Sequence, residues 1–526
     1  MLLLLFLLLL LFLPSLSPFP SPLHNHITSL LNIHKLNPNV ANTENLIKAL
    51  NESAKCGNEL DAYGLTCLLV DSERWDESKE VMDMYLEEPK ELPEEALTFM
   101  RYKVASATCD WAASPSNREK YYTLIEKIKK HLENAVETQT DPQIQPFDVL
   151  RIPTISEALT EKVSTLRSKI INPDPSPPPK KSSNKIPTIG YISHDLEKPG
   201  HPMPFLIRSI FDHHTLPVSI YSIDPPSTSL SPSDPAYPIT THPNYTSFPS
   251  SLPLPSILPN ITCDILIDLS SLTSTKVSTL LSLRPSPIQI SYLGYPSPLK
   301  NPWTDYQITD PFILPPSPTH ISIPSGYYVN SHPSYSIPRR SPPPKNRTFT
   351  FTNLGRPNKY TPETFDTWLS ILRRCPNSEL HLLSTSSLSL LNLKVLAGPL
   401  SSRLKFLPLL PQLPHLLRLS SSSVHLDTSP YNSHTLTVDA LWRGGVVVGV
   451  KGDTWCGKVT ESLGGGEGLI ANDLKEYEDV AVRLYEDGEF FERERERVLE
   501  KWVTAEDWVK ELEEQLVRIW NEYEDQ

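Results

Sequence analysis

A stretch whose residue types could do chemistry runs Leu426-Asp-Thr-Ser-Pro-Tyr-Asn-Ser-His434-Thr435-Leu-Thr-Val-Asp439-Ala-Leu-Trp442. An apolar, strand-like run ends at Leu426, a turn of Pro, Asn and Ser follows, and the pattern predicts a helix from His434 to Trp442. The first amides of a helix have no carbonyl partners within it, and their dipoles sum to a partial positive charge. Such a helix start attracts an anion, with a diphosphate as the obvious candidate. His and Thr also serve simply as helix caps, so the residue types alone leave both readings open.

Three other places carry suitable groups. Gln412, His415 and Arg418 stand in Pro411-Gln-Leu-Pro-His-Leu-Leu-Arg418, where the spacing puts His415 and Arg418 on one helical face. Arg418 taken alone reads as a solvated surface residue. Lys359 closes the run Asn353-Leu-Gly-Arg-Pro-Asn-Lys359, and His201 precedes Pro202. An imidazole suits proton handling near neutral pH, although a histidine before proline more often belongs to a loop.

Elements must position these groups, and 526 residues are too many for a single core. The 39% hydrophobic and 21% charged content is globular, while 54 prolines are about twice the usual share and predict much loop. A net charge of -13 argues against sequence-independent binding to nucleic acid, which needs clustered Lys and Arg. Six cysteines without a CxxC pair, and no His at ligand spacing, indicate neither a zinc site nor a disulfide framework.

Met1 to Leu13 is an apolar run with the length of a signal-peptide core but without preceding basic residues, so residues 1–22 read as a leader that is a signal, an anchor or neither. Residues 43–170 have helical spacing, with Leu60, Tyr63, Cys67, Leu68, Trp75, Val81 and Met82 arranged like one TPR-like hairpin; an ordinary helical cap fits equally well. A Pro-rich linker at 171–185 precedes alternating strand and helix signals over 186–337 and again over 346–480, with a second Pro-rich joint at Pro338 to Pro344. Two successive Rossmann-like lobes imply a cleft between them. Pro225 to Pro259 reads as a long surface loop. In the C-terminal helical region, 481–526, Val509, Leu512, Leu516, Ile519 and Trp520 share one face, which is expected to pack back on the body.

The stretch from Leu426, continued by Trp442-Arg-Gly-Gly445, Gly452-Asp-Thr454 and Glu476-Tyr-Glu-Asp479, resembles the catalytic region of the protein O-linked N-acetylglucosamine transferases and the SPINDLY-type protein O-fucosyltransferases. Gly190-Tyr-Ile-Ser-His-Asp195 with His201-Pro202, Arg284-Pro-Ser-Pro-Ile-Gln289, Leu293-Gly-Tyr-Pro296, Asp305-Tyr306 and Thr309-Asp310 resemble its first lobe, and Cys109-Asp-Trp111 its helical region. The resemblance, which spans about Thr98 to Trp520, implies an α/β, GT-B type glycosyltransferase: two Rossmann-like lobes preceded by an α-helical segment. It implies an inverting, metal-independent transfer of N-acetylglucosamine from UDP-N-acetylglucosamine (UDP-GlcNAc) to Ser and Thr of proteins, with GDP-fucose as the alternative donor and no cofactor.

By the same resemblance Lys359 is the cation that meets the leaving diphosphate, His434 and Thr435 bind that diphosphate, and Asp439 holds the donor ribose. Gln412, His415 and Arg418 then lie near the donor's base and phosphates, and His201 handles a proton. The family is nuclear and cytoplasmic, whereas the leader points to the secretory route or a membrane. Departures are specific: Gln412 replaces a lysine, Leu436 a second hydroxyl, and Phe205 a second histidine. Ser271-Leu272 replace a Gly-His or Gly-Tyr pair, and Ser297 to Lys300 a Gly-rich loop beside the acceptor. Together they also fit an altered donor, a weaker enzyme, or a two-lobed binding protein without transfer activity.

Overall fold

The computed structural model describes residues 27, 29–31, 40–55, 58–87, 92–198, 200–225, 237–329, 331–332, 348–463, 469–500 and 503–523. The leader from Met1 to Leu13 and the joint from Pro338 to Pro344 lie outside them. The chain divides into two compact units, one of residues 1–131, 356–362 and 383–402, the other of 132–355, 363–382 and 403–526.

In the smaller unit, helices α1 (Val40–Lys55), α2 (Glu59–Asp71), α3 (Trp75–Tyr85) and α4 (Glu94–Ala107) each pack on the next. Asn58 starts α2 by accepting the Asp61 amide, and Glu59 and Asp61 sit at the positive end of the helix dipole. Leu60, Tyr63, Cys67 and Leu68 of α2 share a core with Leu46 and Leu50 of α1 and with Val81 and Met82 of α3. The expected hairpin is therefore α2–α3, and its apolar faces are covered because α1 and α4 flank it. The one-turn helix Pro357–Lys359 packs on α4.

Helix α5 (Pro115–Thr138) leads into the larger unit, and α6 (Glu157–Ile171) packs there on the helix Thr275–Ser282. The first sheet contains β1 (Ile189–Ser193), β2 (Val218–Ile223), β3 (Tyr245–Phe248), β4 (Ile265–Asp268), β5 (Ile288–Ser291), β6 (Tyr306–Thr309) and β7 (His320–Ser322). Its order is β3-β2-β1-β4-β5-β6-β7, and every pairing is parallel. All residues of β1, β4 and β5 are buried, as expected for parallel strands covered on both faces. The second sheet contains β8 (Phe349–Asn353), β9 (Ser378–Leu383), β10 (Leu404–Leu407), β11 (Val424–Leu426), β12 (Val446–Val450) and β13 (Ile470–Ala471), in the order β10-β9-β8-β11-β12-β13. Two doubly wound lobes are thus present, as the resemblance implied.

Five further helices matter for the site: α7 (Pro202–Ile207), α8 (Gln412–Leu419), α9 (Thr435–Trp442), α10 (Trp455–Ser462) and α11 (Ala505–Glu522). The apolar face of α11 returns to the first lobe, where Val509, Leu512, Leu516, Ile519 and Trp520 join Ile189, Tyr191, Ile220 and Ile265 in one core. Glu513 fastens it by accepting from the amides of Thr215 and Leu216 and from His214 Nδ1 at 2.8 Å. The linker is ordered against the same helix, with the Lys181 ammonium 4.7 Å from the Trp520 ring centre and donating to the Trp520 and Tyr523 carbonyls.

One expected loop is not a loop. Residues 226–236 lie outside the description, but Tyr237–Thr240 and Leu254–Ile257 are short helices and Tyr245–Phe248 is the edge strand β3. The prolines around it hid a strand of only four residues, which edge positions tolerate. No helix among the described residues is long and apolar enough to cross a membrane.

Candidate functional site

The second lobe brings four of the expected residues together, with Gln412 and His415 against the Asp439 carboxylate and Arg418 against His415. Asp439, in α9, is 2% exposed. His332 Nε2 lies 2.6 Å from its Oδ1, and the Gln412 amide donates to the same oxygen at 3.2 Å. His415 Nε2 lies 3.3 Å from Oδ2. Burial pushes the Asp439 carboxyl up, but the hydrogen bonds and charge of His332 and His415 outweigh it and hold the group at about 2. It is therefore ionised and can only accept.

Arg418, which can only donate, lies 3.1 Å from His415 Nδ1. That nitrogen accepts from Arg418, so the His415 ring carries a hydrogen on Nε2, which lies 3.3 Å from Asp439 Oδ2 outside hydrogen-bonding alignment. Arg418 thus fixes His415, which sits against Asp439, while Gln412 and His332 donate to the carboxylate.

The turn before α9 is built by Asp427, whose Oδ1 accepts the amides of Thr428 and Ser433 at 2.8 and 2.6 Å and whose Oδ2 accepts the Thr460 hydroxyl. The Tyr477 hydroxyl donates to the Asp427 carbonyl and receives the Trp368 indole N–H. His434 caps α9 at φ 53°, a left-handed backbone that a non-glycine residue adopts only when its surroundings hold it there. Its ring stacks on Tyr431 at 4.7 Å, and Nε2 lies 3.1 Å from the Cys456 carbonyl and donates to it. The imidazole thus fixes the turn, and half-buried Thr435 heads the helix. Thr435 is the first residue of the helix, at its positive end.

In the first lobe, His201 caps α7 and follows the β1 end by a short loop. Asp195 is 4% exposed, with Lys198 Nζ and His201 Nε2 at 3.6 and 3.7 Å from Oδ1 and His194 Nε2 at 3.5 Å from Oδ2. Oδ1 has no hydrogen-bond partner among the described residues. His201 Nδ1 accepts the Met203 amide, so in the neutral ring Nε2 bears the hydrogen and faces Asp195. Burial lowers His201 to about 4, against the pull of Asp195. His194 is lowered by burial too, and its Nδ1 lies 2.9 Å from the Ser270 hydroxyl. Gly294, at φ 40°, lies behind Ser270, where an added Cβ would fall 2.6 Å from the Ser270 carbonyl oxygen.

The model of the family Glycosyl transferase family 41 matches residues 109–327 and 316–510. The chain belongs to that family. A probable UDP-N-acetylglucosamine–peptide N-acetylglucosaminyltransferase SEC of Arabidopsis thaliana is 27% identical over 461 residues, covering 78% of this chain and 46% of that protein. The SPINDLY protein of Oryza sativa subsp. japonica, described with the same probable activity, is 31% identical over 242 residues, covering 43% of this chain and 26% of that protein. The chain thus spans less than half the length of these relatives. A mutant O-GlcNAc transferase of Thermobaculum terrenum has the same fold, with a TM-score of 0.75 at 18% identity over 96% of this chain and 99% of that one.

Several residues that carry the resemblance to family members hold the lobes rather than line the cleft. Arg284 is buried against Asp305 at 3.0 Å and donates to the Trp303 and Pro287 carbonyls. Asp310 accepts the amides of Phe312, Ile313 and Tyr327. Phe205 packs with Leu354, Leu416, Leu419 and Trp442 and so joins the first lobe to the second. Ser271 bonds Ser291 at 2.6 Å, and Lys300 turns outward to Glu161.

Lys359 is half-buried on its one-turn helix, which belongs to the smaller unit. His332 was not anticipated. It stands alone in Asn330-Ser-His-Pro-Ser, with no periodic pattern around it, and its partner is 107 residues away.

Proposed function

We propose that the chain is an inverting, metal-independent protein O-glycosyltransferase that moves N-acetylglucosamine from UDP-GlcNAc to Ser and Thr hydroxyls. The observation that carries this reading is the assembly of Gln412, His415 and Arg418 around the ionised Asp439, on the same short helix that Thr435 opens, in a member of this family. Donor-rich side chains beside a helix start suit a nucleoside diphosphate. The description of the Arabidopsis thaliana relative supports N-acetylglucosamine as the sugar.

In the proposed step, the acceptor oxygen forms a bond to the anomeric carbon while the carbon–oxygen bond to the diphosphate breaks, and UDP leaves with the electron pair. Charge grows on the departing diphosphate, and the α9 start and the Lys359 ammonium offset it. The hydroxyl proton passes to His201, whose Nδ1 gives up the Met203 amide to take it while Nε2–H stays directed at Asp195. Gln412 brings an amide rather than a charge to this site, so the charge that meets the leaving diphosphate is assigned to Lys359.

The test offers radiolabelled UDP-GlcNAc and GDP-fucose to the purified chain with Ser/Thr peptides, beside Lys359→Ala. The reading predicts peptide labelling from UDP-GlcNAc that falls on the order of 100-fold or more in the variant. Labelling from GDP-fucose alone would move the chain to the fucosyl class. Nucleotide binding with no labelling would make it a two-lobed binding protein.

A further inference from the structure

We infer that His332 is a positioning residue of the donor site: from the first lobe it holds Asp439 in the orientation that fixes Gln412 and His415. The inference rests on the donor reading above and deepens it.

His332 follows β7 and is 1% exposed. Because Asp439 is ionised, the 2.6 Å contact has His332 Nε2–H as donor and Oδ1 as acceptor. The bond crosses between lobes, since His332 belongs to the first and Asp439 to the helix that carries the second lobe's polar cluster. It is the shortest contact that Asp439 makes. Without it Oδ1 would keep only the Gln412 amide at 3.2 Å, and the carboxylate would be held less firmly in its present orientation.

Rotation matters because the carboxylate is the common partner of two donors one turn apart on α8. Gln412 meets Oδ1 and His415 meets Oδ2, so a turn about the carboxyl axis misplaces both together. His415 then loses the charge it sits against, and Arg418 loses the register it takes from His415.

The surroundings make the bond effective. The His332 ring lies 5.7 Å from that of Trp442, and Trp442 shares an apolar cluster with Leu354, Leu416, Leu419 and the first-lobe Phe205. That cluster keeps water from the pair, which strengthens each hydrogen bond and raises the cost of leaving Asp439 short of a donor. A buried ion pair is seldom the most stable way to join two surfaces. Its position, on the helix that Thr435 opens and against the residues read as donor contacts, gives it a use that packing alone does not.

The experiment compares wild type, His332→Ala and His332→Gln. Affinity for UDP and for GDP is measured by titration calorimetry, donor and peptide KM and kcat by transfer assay, and folding by thermal melting. Gln is chosen because its amide can donate from nearly the place of Nε2. His332→Ala is expected to weaken nucleotide binding and raise donor KM roughly 10–100-fold, with kcat and peptide KM within a few-fold. His332→Gln should recover most of that loss.

Unchanged nucleotide affinity in a folded His332→Ala protein would overturn the inference. So would a loss shared equally among donor KM, peptide KM and kcat and not recovered by Gln, since that describes a structural residue only. If wild type binds neither nucleotide, the donor reading itself falls and this role falls with it; if wild type binds and His332→Ala binds equally, only this role is lost.

Discussion

Asp439 and Asp195 are both buried carboxylates facing histidines, one on each lobe, and they are partnered in opposite ways. Asp439 is met at 2.6, 3.2 and 3.3 Å, and its charge is held by two imidazoles. Asp195 has its three cationic or imidazole neighbours at 3.5 to 3.7 Å and keeps one oxygen without a hydrogen bond. A buried acceptor left open is costly and calls for an explanation. Asp439 is satisfied by the protein's own side chains, whereas Asp195 keeps a buried oxygen without a hydrogen bond among the described residues.

The sharpest way to break this contrast is to remove each carboxylate. Asp439→Ala leaves His332 and His415 buried without their acceptor and should cost about 3–5 kcal/mol of stability. Asp195→Ala should cost about 1 kcal/mol, because its contacts are long. Chemical denaturation of the two variants checks the order, and equal losses would erase the distinction.

Activity should divide the other way. Asp195→Asn keeps the size of the side chain but removes the charge that draws a proton, so kcat should fall on the order of 100-fold while nucleotide affinity stays within about twofold. A parallel loss of affinity, read by titration with UDP, would place Asp195 in the donor site instead.

Glu513 separates burial from catalysis. It is saturated like Asp439 but lies in the first-lobe core, and the His214 and Thr215 hydrogen bonds prevail over its burial to hold it at about 2. Its ordinary value is 4.5, so the stability it adds is present above that pH and is lost as pH falls through about 2. Glu513→Gln should lower stability by about 1–3 kcal/mol at neutral pH and flatten the acid limb of the melting curve, with nucleotide affinity unchanged.

The smallest effect concerns His201. Burial places it at about 4 in the folded chain against an ordinary 6.5, so the ring is neutral at pH 7. Below 6.5 the unfolded chain takes up a proton that the folded chain refuses until about 4, and the stability contributed by the neutral ring is lost across that window. Melting of His201→Gln beside wild type between those pH values should show the difference shrinking as pH falls.

Much of the second lobe was legible in the sequence, because strand, turn and helix succeed one another between Leu426 and Trp442 and His415 and Arg418 share a helical face. The apolar stripe of α11 was legible for the same reason: the periodicity of one element records where its face must go. His332 was not, since its role comes from a contact 107 residues away that leaves no local pattern. Nor was β3, whose four residues are too few for a period and are framed by prolines. The role of His434 was read as contact with a phosphate, yet its ring is used within the turn, on Tyr431 and the Cys456 carbonyl. Its place just before the helix was legible, and the direction of the ring was not.

The central claim is that a nucleoside diphosphate is gripped where α9 begins, and a crystal structure of the chain grown with UDP tests it most directly. The account predicts diphosphate oxygens about 3 Å from the amide or hydroxyl of Thr435, with the nucleoside reaching toward His415 and Arg418. An empty helix start at a UDP concentration that saturates binding, or UDP seated elsewhere, would contradict it.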